Sequence, residues 1–342
     1  VIACRAREGG GLPAMRGAVL LLGVVGVPLL AGQLRQRSLD GGEVTATVAA
    51  VQAGHGGGAG GPAAALERWL EPLRDLGDRQ PFDVAVFPER YLAAPLNDPH
   101  GGALTETGRR VASFAAALGT PAVVGALDAE LRANGRDTVW YNAAFVQPAG
   151  GELSPAYRKN RLVPGLEGTG WMPGGVFGLS GRGYGRGRDP APLPLGDGTV
   201  GAMVCYDSAY GPTARTLVRG GADWLAVVSN DDWLDPERPF RATWAYWQHA
   251  THARLRAIEN RISVIQVAAT GHTFAVSPGG RASALALEAG EEGVVVLTVE
   301  RRGPVTLYTR MGDLLGVACF VTFVLGVGLA TRGQGGVRGR DT

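Results

Sequence analysis

The chain has 342 residues, 45% of them hydrophobic, and a formal net charge of +2. That is enough for one large domain or two small ones with a sizeable buried core. The near balance of charge and the lack of a basic run leave no electrostatic footprint for nucleic acid. Three cysteines far apart, Cys4, Cys205 and Cys319, make neither a disulfide framework nor a zinc pattern.

The first sixteen residues read as loop and carry Arg5, Arg7 and Arg16. An uncharged run, AVLLLGVVGVPLLA at 18–31, follows. It is shorter than the about 20 apolar residues of a membrane span. A signal-peptide core, a short transmembrane helix or one that borrows its flanking glycines are the open readings. From there strand-like and helix-like runs alternate. A strand is expected at 44–53, a helix at 63–77, a strand at 83–89, a helix at 105–119, and strands at 122–127 and 141–147. Further strands fall at 200–207, 223–230, 263–270 and 293–300, with helices at 213–221 and 241–261 between them. Such alternation predicts an α/β domain built on a buried sheet. The glycine-rich stretches at 54–61 and 181–187 read as loops, the second not as a phosphate cradle, because no strand leads into it. His249 and His252 form a close pair on a predicted helix, but without the HExxH form they read as surface or packing residues rather than a metal pair. Near the end, LLGVACFVTFVLGVGLAT at 314–331 is free of charge and long enough to predict a transmembrane helix, with Cys319 a small lipid- or helix-facing residue.

Chemistry concentrates in three segments. Of the 33 lysines and arginines, all but Lys159 are arginine. A lone lysine in that background marks a place where a compact ammonium serves and a guanidinium fork does not. Glu89 ends the apolar run DVAVFPE, and Cys205 ends GAMVC just before the turn-like YDSAYG. Side chains at the carboxyl ends of strands converge on one rim of an α/β sheet. There a carboxylate takes the thiol proton, the thiolate attacks a carbonyl, and an ammonium and a backbone N–H hold the oxyanion.

FPE at 87–89, RKNRLVPGLE at 158–167 and VCYD at 204–207 resemble, in order, the three signature segments of the nitrilase (carbon-nitrogen hydrolase) superfamily. Lys159, Leu162, Val163, Pro164 and Glu167, SNDDW at 229–233, the segment 247–261 and TLYTRMGD at 306–313 are most similar to its bacterial apolipoprotein N-acyltransferase branch. The resemblance implies a nitrilase-like α-β-β-α sandwich with flanking transmembrane segments. It assigns residues 1–40 to a tail and short apolar segment, 41–310 to the catalytic domain, 311–332 to a transmembrane helix and 333–342 to a tail. It implies Glu89 as general base, Lys159 as oxyanion stabiliser, Cys205 as nucleophile, Glu167 as the residue that orients the lysine, and the Tyr206 N–H as an oxyanion donor. It implies no metal or organic cofactor. The implied reaction carries an acyl chain from a phospholipid through Cys205 to the amine of a lipoprotein at the bacterial inner membrane. Arginines flank both apolar segments on both sides, so charge does not decide the orientation; the resemblance implies an extracytoplasmic catalytic domain. Two departures stand out. That branch normally carries several transmembrane helices before the domain, where one short apolar run precedes it here. The residue two after the nucleophile is Asp207, where the branch usually has Glu. Asp207 and AIEN at 257–260 are closer to soluble amide-hydrolysing members, which keeps a small-substrate carbon-nitrogen hydrolase as the alternative.

Overall fold

The computed structural model describes residues 11–39, 41–54, 60–100, 102–132, 135–168, 183–232, 244–283 and 286–335. The first ten residues with Cys4, most of the 333–342 tail, parts of both glycine-rich stretches and the first residues of the helix expected at 241–261 lie outside these.

Helix α1, Gly11–Leu39, takes in the first apolar run and residues that read as loop. The sequence signal misleads there because Pro13 looks like a breaker, yet proline is tolerated in a first helical turn. Strand β1 (Val44–Gln52), helix α2 (Gly61–Arg79), the short strands β2 (Val84–Val86) and β3 (Leu92–Pro95), and helix α3 (Glu106–Leu118) follow. The Thr105 hydroxyl caps α3 by accepting from Gly108 N at 3.1 Å, and Gly119 ends it at φ 72°. Next come β4 (Ala122–Leu131), β5 (Thr138–Gln147), β6 (Tyr157–Arg158), β7 (Leu193–Leu195) and β8 (Gly198–Val204). A 3-10 turn at Cys205–Ala209 leads into α4 (Gly211–Arg219), β9 (Trp224–Ser229), α5 (Trp244–Asn260), β10 (Val264–Ala268) and β11 (Phe274–Val276). Strand β12 (Gly293–Glu300) and helices α6 (Leu307–Met311) and α7 (Leu314–Gly335) complete the described chain.

Among the described residues the strands form two sheets. One has the order β12-β1-β2-β4-β5-β6 with β3 beside β4; the other has the order β11-β10-β9-β8-β7. Strands β8, β9 and β10 run parallel, as do β1, β2 and β4. Strand β1 explains the layering. Val48 and Ala50 join the core shared with Val200, Ala202, Val228 and Val264 of the second sheet. Their neighbours Ala49 and Val51 point the other way, into a core with Trp69 and Leu73 of α2 and Val111 and Phe114 of α3. A period of two with both faces apolar is what a strand buried on both sides requires. Ala214 and Leu217 of α4 and Ala253 and Ala257 of α5 close the far side of the second sheet. The result is the expected α-β-β-α sandwich.

Strands β3, β6, β7 and β11 and helix α6 are additions to the elements read from the sequence. Each is too short to print a period. The segment 306–313 is tied to α5: Thr306 Oγ1 donates to Glu259 O at 2.6 Å, and Thr309 Oγ1 donates to Asn260 Oδ1 at 3.0 Å.

The membrane-crossing helices need correction. Among the described residues no helix is long and apolar enough to cross a membrane. Helix α7 forms over the expected stretch. What α7 does present is exposure: Leu315, Phe320 and Phe323 stand 76%, 68% and 68% exposed.

Candidate active site

Glu89 sits in the turn that leaves β2. Gly125 of β4 makes that turn possible, because a Cβ there would run into the Pro88 carbonyl and the Glu89 backbone. The next residue, Arg90, takes φ 49°. Lys159 follows β6, its backbone N donating to Asn142 O on β5 at 2.8 Å. Cys205 follows β8 and also adopts a left-handed φ of 49°, a conformation a non-glycine residue holds only when its surroundings impose it. Asn230 and Asp231 leave the neighbouring strand β9. The site therefore forms where the carboxyl ends of β2, β8 and β9 meet, as open α/β sheets place their sites.

Glu89 and Lys159 are buried and in direct contact: Lys159 Nζ donates to Glu89 Oε1 at 2.9 Å. On its other side the ammonium meets Glu167, 2.9 Å from Oε1 and 2.8 Å from Oε2. Asn142 Nδ2 donates to both carboxylates, at 2.6 Å to Glu89 and 2.9 Å to Glu167. The Asn230 N–H donates to Glu89 Oε2 at 2.8 Å, and the Val163 N–H to Glu167 Oε2 at 2.9 Å. One cation thus lies between two fully hydrogen-bonded carboxylates. Burial works against the Lys159 charge, but Glu89, Cys205 and Glu167 together outweigh it and raise its pKa. Burial pushes the Cys205 thiol well above its ordinary range, the Glu89 carboxylate adds to that, and Lys159 pulls the other way. Burial and the Glu89 carboxylate thus favour the protonated thiol, and Lys159 favours the thiolate.

Asp207 joins the two halves of the site. It is buried, and its carboxylate accepts from the Tyr157 hydroxyl at 2.9 Å, from Val204 N at 3.1 Å, and from Asn160 N and Arg161 N at 3.1 and 2.7 Å. The lysine loop and the cysteine turn are thereby locked to one another. Burial pushes its pKa up to about 6 even though Lys159 and these donors favour the charge. Tyr206 is half-buried, with its hydroxyl accepting from Tyr210 at 3.3 Å. A cavity of about 180 Å³ opens beside Glu89, Arg90, Asn230 and Asp232; Cys205 is not among its lining residues and is 3% exposed.

The sequence reading did not pick out Asn142, Asn230, Asp231 or His249 for the site. Asn142 carried a signal, a polar residue in the apolar run of β5. His249 read as surface or packing, and it is buried against Cys205, with Nδ1 at 2.8 Å from Asp231 Oδ1 and Nε2 at 3.3 Å from Cys205 O. Cys205, Asp231 and His249 offer three ligand-capable atoms within 4.8 Å of one another, but both ring nitrogens are already hydrogen-bonded.

The carbon-nitrogen hydrolase profile matches residues 47–303, a span that holds Glu89, Lys159, Glu167 and Cys205. The chain belongs to the carbon-nitrogen hydrolase family. It is similar to the apolipoprotein N-acyltransferase of Chlorobaculum tepidum, 32% identical over 55% of this chain and 36% of the relative. The apolipoprotein N-acyltransferase of Geobacter metallireducens is 28% identical over 74% of this chain and 46% of the relative. The chain thus spans less than half the length of these curated relatives. Among solved structures, a carbon-nitrogen hydrolase from Helicobacter pylori superposes with a TM-score of 0.54 at 19% identity, over 74% of this chain and 89% of that one. An amidase from Nesterenkonia sp. gives 0.55 at 16% identity, over 81% and 97%. At that identity the likeness speaks for the nitrilase fold alone.

Proposed function

We propose that this carbon-nitrogen hydrolase family member is a membrane-associated N-acyltransferase. It moves an acyl chain from a phospholipid through a Cys205 thioester to the N-terminal amine of a lipoprotein. The observation that carries the reading is the buried Lys159 ammonium held between Glu89 and Glu167 next to a buried thiol, within a chain similar to curated apolipoprotein N-acyltransferases. The catalytic domain is assigned to 41–310. The exposed apolar side chains of α1 and α7, among them Leu22, Leu315 and Phe320, support attachment to a membrane; the extracytoplasmic placement of the catalytic domain follows from the family resemblance alone.

Glu89 takes the Cys205 proton as sulfur attacks the donor's ester carbonyl. Lys159 and the Tyr206 N–H hold the developing oxyanion, and Glu167 keeps the ammonium aimed. The intermediate collapses, the proton passes from Glu89 to the departing alkoxide, and a lysophospholipid leaves behind a thioester. The lipoprotein amine then attacks the thioester and gives its proton to Glu89; the C–S bond breaks, that proton passes to the departing Cys205 sulfur, and the acyl chain is left on the lipoprotein as an amide. Hydrolysis differs only in the second acceptor, water in place of the amine.

Incubation of detergent-purified protein with phospholipid alone tests this. The expected result is a long-lived acyl adduct on Cys205 by intact mass, discharged into an N-acylated product by a diacylated lipopeptide with a free amine. No adduct from phospholipid, together with hydrolysis of small amides, overturns the transferase and leaves a carbon-nitrogen hydrolase.

A further inference from the structure

His249 of α5 has acceptors on both sides. Nδ1 faces the Asp231 carboxylate at 2.8 Å and Nε2 faces the Cys205 carbonyl at 3.3 Å. A hydrogen bond to each acceptor at once needs a proton on each ring nitrogen, so it is the imidazolium form that makes both contacts. Ser208 supports the same carbonyl: its hydroxyl donates to Cys205 O at 2.8 Å and lies 3.3 Å from His249 Nε2. Asp231 is 1% exposed. Gly271 leaves room for it, since a Cβ there would strike its carboxylate.

The carbonyl held in this way belongs to the peptide between the nucleophile and Tyr206. A trans peptide is planar, with its C=O and its N–H on opposite edges. Fixing the Cys205 oxygen therefore fixes the direction of the Tyr206 N–H, at a residue whose own backbone is left-handed. We propose that Asp231 and His249 are a positioning pair: the imidazolium grips the Cys205 carbonyl so that the Tyr206 N–H faces the oxyanion, and its charge, within 4.8 Å of the sulfur, offsets the Asp231 carboxylate equally close to it. The oxyanion half of this assignment rests on the acyl-enzyme reading above; the effect on the thiol does not.

The surroundings of His249 agree. Burial opposes its charge, but Asp231, the Cys205 carbonyl and Glu89 outweigh that and raise its pKa. His252, one turn along α5 with its ring centre 6.1 Å away, is lowered to about 4 by burial and by the charges of His249 and Arg256. The two rings are shifted in opposite directions, and His249 holds a proton more readily than His252. The groups facing the ring are thus Asp231, Glu89 and Cys205 across the site, Ser208 from the 3-10 turn and His252 on its own helix.

Two measurements test the pair, each against pH. The first is alkylation of Cys205 by iodoacetamide in the unacylated full chain. The second is turnover of phospholipid and a diacylated lipopeptide to N-acylated product, resolved into kcat and KM. In His249→Leu, alkylation at pH 8 is expected to slow about tenfold, a shift of one pKa unit, and kcat to fall about 100-fold with KM within about twofold. His249→Gln returns one donor without the charge, so it should recover part of kcat and none of the alkylation rate. Asp231→Asn withdraws the partner that keeps the ring charged. Its deficit relative to wild type should close as pH falls through about 6.5, where an unassisted imidazole gains its proton. A merely structural Asp231 would give a deficit independent of pH. The pair is overturned if His249→Leu alkylates and acylates at the wild-type rate, or if the Asp231→Asn deficit does not change with pH. If wild-type protein forms no adduct from phospholipid, the proposed function fails, and the alkylation profiles still decide whether the imidazolium acts on the thiol.

Discussion

Lys159 Nζ lies 2.9 Å from Glu89 Oε1, and both side chains are removed from water. A buried ion pair broken by loss of one partner is costly because the survivor stays buried and uncompensated. Here two carboxylates would survive, Glu89 and Glu167. Lys159→Met is expected to destabilise the fold by about 3–5 kcal/mol in denaturant melts. Lys159→Arg keeps the charge but spreads the donors over a planar fork, so Cys205 adduct formation should slow by about 100-fold or more. A near wild-type rate in Lys159→Arg would show that the ammonium's point geometry is irrelevant.

Glu89 and Cys205 give a prediction of opposite signs. The thiol's pKa is raised first by burial and then by the Glu89 carboxylate. An acid whose folded value is raised stays protonated, so wild-type alkylation of Cys205 should keep climbing past pH 9 without a plateau. Glu89→Gln removes one raising charge and leaves Lys159 pulling downward. Its alkylation at pH 8 should therefore be faster than wild type. Turnover should nevertheless fall by about 100-fold or more, because the carboxylate proposed as general base is gone. Faster labelling with slower catalysis separates the base from a residue that only holds the fold; slower labelling would contradict the charge assignment.

The sequence made part of this site legible and physics explains which part. Glu89 and Cys205 stand where apolar strands stop against Pro88 and a turn, and Lys159 is conspicuous as the lysine among arginines. Local pattern is enough for such residues. Asp231 and His249 meet across 18 residues of chain from different elements, and nothing local in either stretch announces the contact. Asn142 was visible as a polar residue in an apolar strand, but only the fold reveals that its one amide nitrogen serves two carboxylates. A buried sheet was readable because β1 and its neighbours are apolar on both faces; the sandwich was legible only through the family resemblance. The two- to five-residue elements β3, β6, β7, β11 and α6 were not, since so few residues display no period.

Gly125 supports Glu89 without touching chemistry. A methyl group at 125 would collide with the Pro88 carbonyl and crowd the backbone of Glu89 and Arg90. Both are backbone contacts, which cannot rotate away as a side chain would. Gly125→Ala is expected to destabilise the protein by about 1–3 kcal/mol through overpacking. Adduct formation should fall further than the folded fraction does, because the turn that aims the carboxylate must move. Equal losses in folded protein and in rate would mean that the turn tolerates the shift.

Helix α7 carries the last prediction. Leu315, Phe320, Phe323 and Leu325 are exposed on a helix that is apolar around its circumference. A helix apolar all round, with no protein packed over it, calls for a nonpolar environment. Burial of one such side chain in the acyl region of a bilayer is worth about 1.5–3 kcal/mol, which is roughly a tenfold to 100-fold change in partitioning. The full chain should therefore sediment with phospholipid vesicles. Phe320→Ser and Phe323→Ser should each weaken that partitioning by about tenfold or more, and the double variant should approach the product of the two. Alkylation of Cys205 in detergent should be unchanged in all three, because neither phenylalanine belongs to the cores that hold the site. Wild-type chain that stays in the supernatant with vesicles present would sink the membrane attachment, and with it the supply of a phospholipid donor to Cys205.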